Sequence, residues 1–105
     1  MNPEMHILNN QGCLIPVWNE INDILSSNIG TKFSSYELFA KFSDVLKNQL
    51  ETIAATYEKG PCSSPPAYVG SVASSMSNTE ANIDHDYNYF CPILNRIEDG
   101  FVKTK

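Results

Sequence analysis

The sequence predicts an all-α fold, a compact bundle of four to five helices, on three observations. Between Phe33 and Pro61 a helix start, a helical face and a helix stop follow one another in order. Two further stretches, 16–29 and 83–97, repeat apolar residues at three- and four-residue steps, the period of one helix face. The link between the first two stretches, Gly30-Thr31-Lys32, is short enough to favour an antiparallel helix pair.

Residues 5–15 place two short apolar runs, MHIL and CLI, around the turn-forming NNQG. This reads as a small β-hairpin or an extended arm, and either must dock on the rest of the chain. Pro16 suits the first position of a helix, where its missing N–H is no loss. Val17, Trp18, Ile21, Ile24, Leu25 and Ile29 then form the apolar face, and Gly30 ends the run.

The central stretch opens on Ser34 and Glu37, which have the spacing of a capping box, with Phe33 and Leu38 placed as a hydrophobic staple. Leu38, Phe39, Phe42, Val45, Leu46, Leu50, Ile53, Ala54 and Tyr57 continue the face to Gly60-Pro61. One continuous helix here would be roughly 36 Å long. From 60 to 79 the chain carries no charge and is rich in serine, proline and glycine. Its second half still predicts a short helix over 66–76. Ser64 is the cap, Pro65 the start, and Tyr68, Val69, Val72, Ala73 and Met76 make the buried face. In the last third, Ile83, Tyr87, Phe90, Cys91, Leu94 and Ile97 keep a helical step. Pro92 divides it into helices near 79–90 and 92–98, or kinks one, before Gly100.

At 105 residues the chain has room for one core, so 1–105 reads as a single domain. No apolar run is long enough to span a bilayer, and no basic flank with an apolar run marks a cleavable signal. The expected location is therefore the cytoplasm, or outside the cell by a route without such a signal. Cys13, Cys62 and Cys91 are odd in number and far apart, which favours free thiols over a disulfide framework. The net charge of −5 argues against a phosphate-binding face and suits a partner with a basic surface.

Motifs for chemistry are weak. Asp84-His85-Asp86 has the residue types of a general base or metal site, but on a helix consecutive side chains diverge by about 100°. Zinc could draw on His6, His85 and the three cysteines, yet no close pair such as C-x-x-C is present. Phosphate loops, nucleophile elbows and H-E-x-x-H are absent from the sequence.

The expectation that remains is a small acidic protein-binding module: an inhibitor or neutraliser of a specific partner, of the immunity, antitoxin or anti-defence kind. Its contact residues would be Glu80, Asp84, Asp86, Tyr87, Tyr89 and Phe90, where acids surround rigid aromatics. A competing assignment puts Tyr87 and Phe90 in the core and leaves Tyr89 as an incidental exposed ring. The alternatives in function are a small enzyme or metal-binding module using His85, Asp84 and a cysteine, and a self-assembling structural subunit. Cofactor, nucleic acid and membrane are not expected, and the chain would act as a monomer or homodimer.

Overall fold

The structure, a computed structural model, describes residues 15–56 and 64–105, and of 53–56 the backbone alone. It overturns the all-α expectation. Among the described residues, four helices and a three-stranded antiparallel sheet make a mixed α/β fold. Of the anticipated arm or hairpin at 5–15 only Ile15 is described, and it opens a helix; the rest of it, with Cys13, Cys62, His6 and the Gly60-Pro61 stop, lies outside the described residues.

Helix α1 spans Ile15–Ser27 and buries Val17, Ile21 and Leu25, with Trp18 and Ile24 partly buried beside them. Gly30 follows at φ +87°, a conformation that favours glycine, and its N–H donates to the Lys103 carbonyl at 2.9 Å. That bond draws the chain into a strand. The short link therefore leads to β1, Phe33–Ser34, and not to an antiparallel helix.

The capping box is present. Ser34 Oγ accepts from Glu37 N–H at 3.2 Å, and Glu37 Oε1 accepts from Ser34 N–H at 3.1 Å. The helix it starts, α2, runs only over Ser35–Ala40. A tight turn at Lys41–Ser43 separates it from α3, Asp44–Thr56, so the single long helix is corrected to two. Two interactions fix the break. Ser43 Oγ accepts from Leu46 N–H at 3.3 Å, as a second cap, and Ser43 N–H donates to Glu20 on α1 at 2.9 Å. The turn also carries Phe42 into the core, edge-on to Phe39 with centroids 5.9 Å apart.

Helix α4, Pro65–Thr79, is longer than the 66–76 expected but begins at the anticipated proline and buries all five anticipated residues. Ser64 flanks it without a side-chain cap bond. At Gly70 the helix comes so close to α2 that an added Cβ would lie 3.2 Å from Ser35 Cβ. The serine- and glycine-rich composition thus serves close helix packing.

The last third is a β-hairpin, not a helix pair. Strands β2, Ile83–Cys91, and β3, Arg96–Lys103, are joined by 92–95, where Asn95 adopts φ 55° and donates to the Cys91 carbonyl at 2.8 Å. Pro92 opens the turn, a position that needs no strand N–H. Strand β3 is central, with β1 on one side and β2 on the other. Phe33 pairs with Phe101, Ser34 with Gly100 and His85 with Phe101. The core joins Phe33, Ile83 and Phe101 of this sheet to Val17, Ile21, Leu25, Leu38, Phe42, Leu46, Leu50 and the α4 face. Among the described residues, no helix is long and apolar enough to cross a membrane.

Candidate functional site

The anticipated contact residues fall on β2 and the α4 C-cap, and the strand sorts them differently from a helix. Opposed residues in a ladder share a face, and neighbours along a strand alternate. Ile83, His85, Tyr87, Phe101 and Lys103 therefore share one face, while Asp84, Asp86, Gly100 and Val102 share the other. Lys103 Nζ reaches Ser26 Oγ of α1 at 2.8 Å, which shows that α1 lies against the first face.

Midway, the register slips. Asp86 opposes Gly100 and Tyr89 opposes Glu98, so Tyr87 and Asn88 together oppose Asp99, a β-bulge. Beyond it the parity of β2 is inverted. Tyr89 and Cys91 now lie on the Gly100 face, and Phe90 lies with Ile97 and Asp99 on the face that carries Phe101.

The covered face changes with the parity. Distal to the bulge, Tyr89 packs over Gly100, where an added Cβ would sit 2.5 Å from Tyr89 Cβ. The Tyr89 hydroxyl donates to Glu37 Oε1 at 2.7 Å, the same oxygen that closes the capping box. Burial first, and then the bond to Glu37, pushes this phenol up to about 12. Cys91 is a free, fully buried thiol 3.0 Å from Ser34 Oγ. Both side chains thus face the start of α2. Their neighbours point away from the protein: Tyr87 is 69% exposed, Phe90 52% and Ile97 55%, with Ile93 in the turn at 54%. The core assignment of Tyr87 and Phe90, and the exposed assignment of Tyr89, are both inverted.

Charges frame this apolar surface. Asp99 is well exposed, and its Oδ1 lies 3.4 Å from His85 Nε2 in a geometry that makes no hydrogen bond. The His85 ring is held between Tyr87, stacked at 3.9 Å, and Phe101 at 4.6 Å. Asp86 pairs with Lys32 at 2.8 Å. That hydrogen bond, followed by one from Asn88 N–H, holds its carboxyl below the usual carboxylate range. Asp84 is exposed, and among the described residues no cation reaches it or Glu80.

The rival chemistry is not assembled. Asp84 and His85 lie on opposite faces, and Cys91 lies beyond the bulge against Ser34. Among the described residues, no group of three His, Cys, Asp or Glu could hold a metal ion.

No family model, curated protein or solved structure matches this chain. The hairpin must be read from its own geometry.

Sequence reasoning missed Ile93 and Ile97 as surface residues. Phe90 and Ile97 sit symmetrically about Pro-Ile-Leu-Asn, and that turn signal, read first, pairs them.

Proposed function

We propose that this chain is a protein-binding module that inhibits or neutralises a specific partner, in the cytoplasm, through the outer face of the distal β2–β3 hairpin. One observation carries the reading. Four of the seven large apolar side chains exposed among the described residues, Tyr87, Phe90, Ile93 and Ile97, belong to this one hairpin. Scattered exposed apolar residues need no explanation, whereas a group sharing one face marks a contact surface. Tyr87 and Phe90 retain their place as contact residues, joined by Ile93 and Ile97. Tyr89 passes to the supporting structure, since its hydroxyl and ring are already engaged. Asp84 and Glu80 supply acidity with no ion-pair partner among the described residues, and the hairpin region 80–99 holds five acids against Arg96 alone. That imbalance favours a partner with a basic surface and acts chiefly on the association rate.

The test is affinity capture from the producing cells with wild-type chain and with Tyr87→Thr/Phe90→Thr. Threonine keeps strand propensity while removing the rings. A partner retained by wild type and lost by the variant, at unchanged melting temperature, supports the reading. A partner held equally by both puts the contact elsewhere.

A further inference from the structure

We infer that the occupant of the distal hairpin face is an amphipathic, basic α-helix of the partner protein. The inference rests on the proposed binding role and names what that surface takes.

The open face is continuous with the core. The face that carries Phe90, Ile97 and Asp99 is the one that, at its other end, presents Ile83 and Phe101 to the core beneath α1. Helix-on-sheet layering thus covers this face at one end and stops before the other. A helix laid on Tyr87, Phe90, Ile93 and Ile97 would extend that layer. The open part is two strands wide, since β1 pairs only at Phe101 and Gly100. Two strands span about 10 Å including side-chain reach, close to the diameter of one helix.

Charge favours a basic occupant. Ile97 and Asp99 are two apart on β3, so their side chains stand about 7 Å apart on the same face. A helix presenting an apolar residue at i and a lysine or arginine at i+4 offers groups about 6 Å apart along its axis. Such a helix covers Ile97 and meets the exposed Asp99 carboxylate. A second copy of this chain is disfavoured, because it would bring two hairpins of like net charge together. Strand addition along the free edge of β2 is also disfavoured. The bulge bends that edge, and the Asp86 carboxylate takes the Asn88 N–H at 3.0 Å.

The experiment titrates ¹⁵N-labelled chain with two synthetic helical peptides. Both carry leucine on one face, one with lysines on the other and one with glutamates in their place. The lysine peptide should shift the amides of Tyr87, Phe90, Ile93, Ile97 and Asp99 and bind about tenfold tighter than the glutamate peptide, a gap that narrows in high salt. Phe90→Thr/Ile97→Thr should weaken it by at least about tenfold with the spectrum still dispersed, which separates seating on this face from general attraction to an acidic protein. Asp99→Asn should weaken it by a few-fold, as for one exposed charge pair.

Equal binding of the glutamate peptide at the same amides overturns the basic helix and leaves the hairpin reading standing. Shifts confined to Asp84 and Asp86, indifferent to Phe90→Thr/Ile97→Thr, overturn it in favour of the strand edge. Concentration-dependent shifts on this face without peptide assign it to a second copy and overturn the inference. Failure of both peptides overturns it as well, while the hairpin reading fails only if captured partner survives Tyr87→Thr/Phe90→Thr.

Discussion

The proximal and distal halves of the β2–β3 hairpin use the same two strands and the same residue types, yet the face that carries Phe101 is buried in the first and open in the second. Below the bulge, Ile83 and Phe101 turn inward and Asp84 and Asp86 outward. Above it, Tyr89 and Cys91 turn toward α2, and Phe90 and Ile97 are left outside. One extra residue in β2 moves Tyr89 and Cys91 to the Gly100 face and Phe90 to the Phe101 face, because strand parity is two and an insertion reverses every side chain after it. On β3, which has no insertion, Phe101 and Ile97 share a face and differ in what covers it. On the face that carries Phe101, an apolar residue is therefore buried or exposed according to which side of Tyr87-Asn88 it occupies.

The comparison breaks most sharply at its aromatic extremes. Phe101→Ala should cost about 3–5 kcal/mol in urea unfolding, through lost burial and a cavity. Phe90→Thr, on the same face, should stay within about 0.5 kcal/mol of wild type. A similar cost for both would mean that the distal face is covered in the free protein.

Gly100→Ala tests the crossover itself. The new methyl meets Tyr89 Cβ and Cγ, near the strand and with little freedom to move, so a loss of about 1–3 kcal/mol is expected by overpacking. Tyr89→Ala in the same background should reduce that loss, and simple additivity of the two would separate the sites.

Ser34→Ala should lose about 1 kcal/mol as a cap, read from the denaturant midpoint. Tyr89→Phe should lose a similar amount, on the order of 1 kcal/mol for one hydrogen bond. It also carries a pH signature. The folded-state phenol titrates at about 12, above its ordinary value near 10, so the neutral form is favoured by folding. Its contribution is complete below about pH 10 and falls away as pH rises toward 12. Stability of wild type minus Tyr89→Phe, followed from pH 9 to 11.5, should shrink steadily; a flat difference would disprove the tie to Glu37.

How far the sequence reveals this arrangement differs along the chain. Ser34 and Glu37, Pro65, and the Tyr68–Met76 face are local devices whose physics lies within a few residues, and they read correctly. The break at Ser43 was legible in principle, since Ser43 and Asp44 open a second helix, but its clamp comes from Glu20 on another element. The hairpin was misread because Ile83, Tyr87, Phe90, Cys91, Leu94 and Ile97 satisfy a helical step by coincidence. Read at period two, Ile83, His85, Tyr87, Tyr89 and Cys91 alternate with Asp84, Asp86 and Asn88, residues that strands place outward and helices use poorly. The bulge remained hidden, because nothing within β2 tells which partner it meets. The proposed contact surface inherits that limit: the sequence singles out Tyr87 and Phe90, but not their company with Ile97 and Asp99.

The strand order has a consequence in time. β3 lies between β1 and β2 although it follows both in the chain. As the polypeptide is synthesised from its N-terminus, Phe33 and Ser34 wait for Phe101 and Gly100, and all of β2 emerges before the strand that will hold it. The capped helices can form early from local contacts, but neither of the described strand pairs can form until residues 96–103 have appeared. On the ribosome this sheet closes after the capped helices, and until then the exposed side chains of the distal hairpin have no scaffold.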